Sequence, residues 1–235
     1  MTMRSYRNFG KCFVGREWAE PHTAGFFGYG IKEPGEISSH SKWNIFNAVE
    51  YQTGNRRQPL DKSLDLPRAA LIPAAVLIPI VERSSGLTML LTKRTNHPRK
   101  HPGQITFPGG RAEETDDGPV ATALRETEEE IGLGSSFIDV IGFLDAHETF
   151  TGFLVTPVVG LIGAAFQLNP DPSEVAEIIE VPISFLLDPA NYYTDSCTTN
   201  GMQYGFYALK YEEQVIWGAT AGMLVNLYRR MIFQT

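Results

Sequence analysis

Residues 109–133 read GGRAEETDDGPVATALRETEEEIGL, and the second half of this run tightly limits the local fold. At about 100° per residue, Glu126, Glu129 and Glu130 fall on one side of a short helix. Val120, Ala123, Leu124, Thr127 and Ile131 form a stripe beside them, so a buried edge lies next to a charged one. Glu128 points away from both, into solvent. Like charges at these spacings each cost a helix roughly 0.2–0.5 kcal/mol, so the carboxylates do not serve helix stability. A hard divalent cation reverses that sign, because Mg²⁺ or Mn²⁺ is held by one or two carboxylates and keeps much of its water shell. Gly132 is placed to end the helix with positive φ. Upstream, Phe107-Pro108-Gly109-Gly110 predicts a tight turn whose bare backbone allows close approach to a ligand.

The chain of 235 residues has room for one packed domain and an appendage. Its composition, 43% hydrophobic and 20% charged, predicts a globular core rather than disorder. A net charge of −7 argues against non-specific binding to nucleic acid or an anionic membrane. Cys12 and Cys197 are too few for a disulfide framework or metal cluster, and a reducing cytoplasm is the simplest setting. The first residues lack the apolar region of a secretory signal. The most apolar run, 69–81, is too short to span a bilayer and contains Pro73 and Pro79.

Residues 1–66 are rich in Gly, Ser, Asn and aromatic side chains, with one helical spacing at 43–51. Three readings stay open for them: an arm packing on a second copy in a homodimer, a partly disordered leader, or sequence upstream of the true start. Residues 67–235 are expected to form the packed domain that carries the acidic segment. There the pattern predicts strands at 75–81 and 87–92 joined by a hairpin turn, then 105–107, 137–144, 153–162 and 175–181. Helices are expected at 119–131, 183–187 and 219–231, with a further hairpin at 204–211 and 214–217. That order predicts the α/β class, with a mixed sheet between helices.

The acidic segment resembles the Nudix box, G-x5-E-x7-R-E-U-x-E-E-x-G-U with U aliphatic. The second half matches except that Thr127 takes an aliphatic position. In the first half Gly110 precedes Arg125 by fifteen residues instead of fourteen, and Asp116 or Asp117 replaces the expected Glu. The flanks are similar to the coenzyme A pyrophosphatase subfamily, whose pattern is LLTxR-[SA]-x3-R-x3-G-x3-FPGG. Here Leu90 to Arg94, Arg99, Gly103 and the Phe107 to Gly110 turn fit it, and Thr95 departs. The likeness continues in Thr151-Gly152-Phe153, in 155–160, and in Trp217-Gly218-Ala219-Thr220-Ala221-Gly222.

This resemblance implies a Nudix α/β/α sandwich and a Mg²⁺- or Mn²⁺-dependent hydrolase of coenzyme A or its derivatives. The small-molecule products would be 3′,5′-ADP and 4′-phosphopantetheine. It implies Glu126, Glu129 and Glu130 as metal ligands, with Arg125 orienting glutamates instead of touching substrate. For the base that activates water, Glu126, Glu148 in the loop 145–149 and a metal-bound hydroxide stand as alternatives. Glu174 and Glu177 lie near where some relatives supply a late ligand. The basic run Lys93, Arg94, His97, Arg99, Lys100 and His101 suggests a polyanion site on an acidic chain. Arg94, Arg99 and His101, with Gly109 and Gly110, are the candidate substrate contacts. Two other readings compete: hydrolysis of ADP-ribose, NADH or a deoxynucleoside triphosphate, and a catalytically silent nucleotide sensor.

Overall fold

The computed structural model describes residues 71–96, 103–149, 151–199 and 202–233. The helical spacing at 43–51, and the candidate contacts Arg99 and His101, lie outside the described residues.

The centre is β1 (Ile72–Arg83), flanked by β2 (Gly86–Arg94) and β7 (Phe153–Ile162). β1 and β7 run parallel through a ten-residue register from Ile72↔Phe153 to Val81↔Ile162, whereas the other pairings are antiparallel. Burial on both faces explains why β1 reads as a nearly continuous apolar run. Pro79 stands inside this central strand, where a missing N–H would normally break a ladder. Its N-side faces the same way as that of Leu77, which donates to Pro108 O. On that side the pairing with β4 (Gly109–Arg111) ends at Val76 and the pairing with β2 begins at Ile80. Proline therefore sits in a gap between two partners.

β3 (Ile105–Thr106) and β8 (Val175–Pro182) pair with β2; β5 (Ile138–Phe143) and β6 (His147–Glu148) pair with β7. Helix α1 (Gly118–Ile131) covers one face, packing Ala123 on Ala75, Leu77 and Val158. Helix α3 (Ala219–Phe233) covers the opposite face, where Ala221, Leu224 and Leu227 join Ile78, Ile105, Phe107 and Val159. Short α2 (Ile183–Leu186) follows β8. This is the expected mixed sheet between helices. One difference is a separate three-stranded antiparallel sheet, β9 (Tyr192–Thr199), β10 (Met202–Tyr211) and β11 (Gln214–Trp217). The sequence pattern does not mark β9, nor β4 and β6, which are too short to show a period. No helix among the described residues is long and apolar enough to cross a membrane.

Candidate active site

Helix α1 forms as its periodicity requires: Ala123, Thr127 and Ile131 are buried while Glu128 and Glu129 are exposed. Thr127, at the aliphatic position of the box, satisfies its buried hydroxyl by donating to Ala123 O at 2.6 Å. Gly132 ends the helix at φ 70°, its N–H bonding Glu128 O. Two further end carbonyls are met from far away in sequence. Asn169 N donates to Ile131 O at 2.8 Å and Asp171 N to Glu130 O at 3.0 Å. The loop before β8 is thereby tied to the acidic helix, and it carries Glu174.

Arg125 is fully committed within the protein. Its Nε and Nη2 reach Asp116 at 2.9 and 3.0 Å, Nη1 reaches Glu126 and Glu129 at 3.1 Å each, and Nη2 also meets Arg111 O. Asp116 further accepts from Thr122 Oγ1 and Glu113 N, both at 2.9 Å. The Arg125 guanidinium, aided by these donors, holds the Asp116 carboxyl well below the usual carboxylate range. Of the two aspartates the box left open, Asp116 is the one that braces the arginine; Asp117 is exposed and makes no side-chain capping bond. The extra loop residue is accommodated in this closed turn.

The remaining carboxylates face the turn before the helix. Glu126 is half-buried against Gly110, where a Cβ would lie 2.5 Å from its carboxylate. Gly109, at φ 148°, has its backbone pressed on Ala75 and Val76 and donates its N–H to Glu130 Oε2 at 3.3 Å. The close approach expected of these glycines is therefore to the protein's own sheet and carboxylates. Glu130 is 5% exposed. Burial pushes its pKa up to about 7, against the pull of Arg94 and the Gly109 N–H, and the charges of Glu126 and Glu174 add to the rise. Burial also raises Glu126, opposed by Arg125, with Glu129 and Glu174 adding smaller pushes. Arg94 lies between Glu130 and Glu174, 3.9 Å from each. Lys93 instead pairs with Glu177 at 3.6 Å. A cavity of about 440 Å³ opens beside Glu126, lined by residues 111–115.

The structure thus brings together Glu126, Glu130, Arg94, Arg125, Gly109 and Gly110, with Asp116 and Glu174, each one of a pair the resemblance left open, beside them. Glu129 stands at the exposed rim, held by Arg125. Glu148 is not in the cluster. Its register, Glu148↔Leu154 and then Leu154↔Pro73, puts it on the sheet face of α1, but three strand spacings of roughly 4.8 Å separate β6 from β4. Among the described residues no three acidic, His or Cys side chains already converge as a closed metal cage. A cation that keeps most of its shell as water needs only one or two carboxylates, and the hard oxygens of Glu126 and Glu130 fit Mg²⁺ or Mn²⁺ in that mode.

The model of the NUDIX domain matches residues 71–191. The chain belongs to the Nudix family. It is 41% identical over 158 residues to an uncharacterized Nudix hydrolase, NudL, of Yersinia enterocolitica, covering 67% of this chain and 80% of that protein. A NudL of an Enterobacter species is 40% identical over 154 residues, 66% of this chain and 80% of that one. Among solved structures, a MutT/nudix family protein from Enterococcus faecalis is similar at a TM-score of 0.44 and 13% identity, covering 84% of this chain and 75% of that chain. As a Nudix hydrolase, the protein acts on a nucleoside diphosphate derivative.

Proposed function

We propose that this Nudix hydrolase cleaves the diphosphate of coenzyme A or its derivatives, with a divalent cation held by Glu126 and Glu130. The observation that carries the hydrolytic part is the burial of two like-charged carboxylates side by side at a turn without side chains. That arrangement disfavours ionisation by itself and is relieved by a hard cation. Such an ion supplies Lewis acidity and a water of lowered pKa.

The protein's own residues then divide the work. Arg125, anchored on Asp116, fixes the Glu126 and Glu129 carboxylates. The Gly109 N–H orients Glu130, and the missing Cβ of Gly110 leaves space for Glu126. Arg94 lies where it neutralises a phosphate approaching Glu130, and Glu174 adds a carboxylate on the far side of that guanidinium. Glu126, half-buried against Gly110 and beside the proposed cation, is better placed than Glu148 to take a proton from water. The coenzyme A assignment is supported by the flanking pattern around Arg94, Arg99 and the Phe107 to Gly110 turn, and by the extra loop residue. The basic residues that precede the turn match the 3′-phosphate of that substrate in charge.

Incubation of the protein with Mg²⁺ and coenzyme A, with products identified by mass, tests the reading. Release of 3′,5′-ADP and 4′-phosphopantetheine is expected. Intact coenzyme A beside hydrolysed ADP-ribose would overturn the substrate, and inertness toward every nucleotide diphosphate would favour a sensor.

A further inference from the structure

The segment Trp217-Gly218-Ala219-Thr220-Ala221-Gly222 has no part in the chemistry above, yet it opens α3 against the strand that feeds the glycine turn. Gly218, at φ 68°, takes its N–H to Tyr207 O at 3.1 Å and then offers its own carbonyl to Gly222 N, which starts the helix. The first turn of α3 therefore has a fixed seat on β10. Thr220 is 2% exposed, and its Oγ1 donates to Ile105 O at 3.1 Å, across 115 residues of sequence.

That carbonyl needs an outside partner. Arg94 N bonds Gln104 O, so the next residue along β3 turns its carbonyl away from β2. The Thr220 hydroxyl is the group that meets it. From Ile105 the chain runs through buried Phe107, which packs in the same cluster as Ala221 and Leu224. Pro108 O then accepts from Leu77 N at 2.9 Å, and Gly109 N donates to Glu130 Oε2 at 3.3 Å. Only three residues, 106–108, separate the Thr220 contact from the Glu130 contact. A side chain near the C-terminus is thus tied to the carboxylate site through a short, buried backbone segment.

We propose that Thr220 is a positioning residue for hydrolysis: its hydroxyl holds the Ile105 carbonyl and so sets the backbone that orients Glu130 and leaves room for Glu126. The proposal rests on the hydrolase reading for its kinetic consequence, whereas its structural consequence is independent of substrate. Thr220→Val keeps the side-chain volume and removes the donor, and Thr220→Ser restores the donor. With the best substrate of the wild type, Thr220→Val lowers kcat roughly three- to tenfold while KM stays within about twofold, and Thr220→Ser recovers the loss. In the same variant, amide hydrogen exchange speeds up at residues 105–110 by roughly tenfold and is unchanged in β5. If Thr220→Val does not fold, Thr220→Ala, which adds no bulk, reads the same quantities.

Unchanged kcat per folded molecule, or unchanged exchange at 105–110, would overturn the role. So would a loss of activity that Thr220→Ser does not repair. A wild-type protein with no turnover would overturn the hydrolase reading, while the exchange measurement would still decide whether Thr220 governs the turn.

Discussion

Glu130→Gln in the metal-free protein gives a stability change whose sign is opposite to that of a typical core substitution. Glu130 is buried with a pKa pushed up to about 7 from an ordinary 4.5. Above about pH 7 it is ionised in both folded and unfolded chains, and the folded state bears the full cost of the buried charge. Below about 4.5 it is protonated in both, and the cost vanishes. The stability linked to Glu130 is therefore present at low pH and is lost as pH rises from about 4.5 through about 7. At about 1.4 kcal/mol per tenfold in proton affinity, this amounts to about 3 kcal/mol. Gln has nearly the same shape and keeps an oxygen for the Gly109 N–H, but it has no charge. Urea unfolding in EDTA at a series of pH values from 4.5 to 8.5 reads the difference. The variant gains on the wild type by about 3 kcal/mol across the series, which for a domain of this size is roughly 6–12 °C in Tm. Saturating Mg²⁺ narrows the gap by stabilising only the wild type. A difference independent of pH, or one that grows as pH falls, would rule out a buried charge cost at Glu130.

Asp116→Asn lowers kcat, because Arg125 loses the partner that aims it at Glu126 and Glu129, whereas Asp117→Asn leaves kcat unchanged; equal effects on kcat would reject the brace. The same Asp116 carboxylate, with its pKa depressed by Arg125, contributes stability above the ordinary carboxylate pKa and loses it as pH falls through the lowered value, a dependence that acid titration of wild type and Asp116→Asn measures. Gly110→Ala drives a methyl into the Glu126 carboxylate and lowers kcat by at least about tenfold, and near-normal turnover would show that Glu126 has freedom to move.

The legible parts of this protein are those set by local periodicity. Ala123, Thr127 and Ile131 announce the buried edge of α1, and Gly132 its end, because a helix repeats over a few residues. The β1 and β7 runs are equally plain, since strands covered on both faces have few polar positions. The hidden parts depend on contacts between distant segments. Asp116 and Asp117 are chemically alike, and only the closed loop, with Thr122 and the Glu113 N–H, selects the first. The resemblance names Glu174 and Glu177 together, and only the backbone bonds from Asn169 and Asp171 to the end carbonyls of α1, which leave no side-chain signature, tie the Glu174 loop to the site. Glu148 shows the reverse. Its place in a short acidic loop suggested a base, but strand register carries it to β6, away from the glycine turn. Tyr192–Thr199 gave no sign of β9 because its polar residues break the alternation.

Hydrolysis of coenzyme A, in preference to other nucleotides, at the carboxylates of α1 is the proposed reaction. The ratio of kcat/KM for coenzyme A to that for ADP-ribose, taken with one preparation in Mg²⁺, tests it most directly. A ratio well above one is expected, with complete loss of both activities in EDTA. A ratio below one, or turnover that survives EDTA, would contradict it.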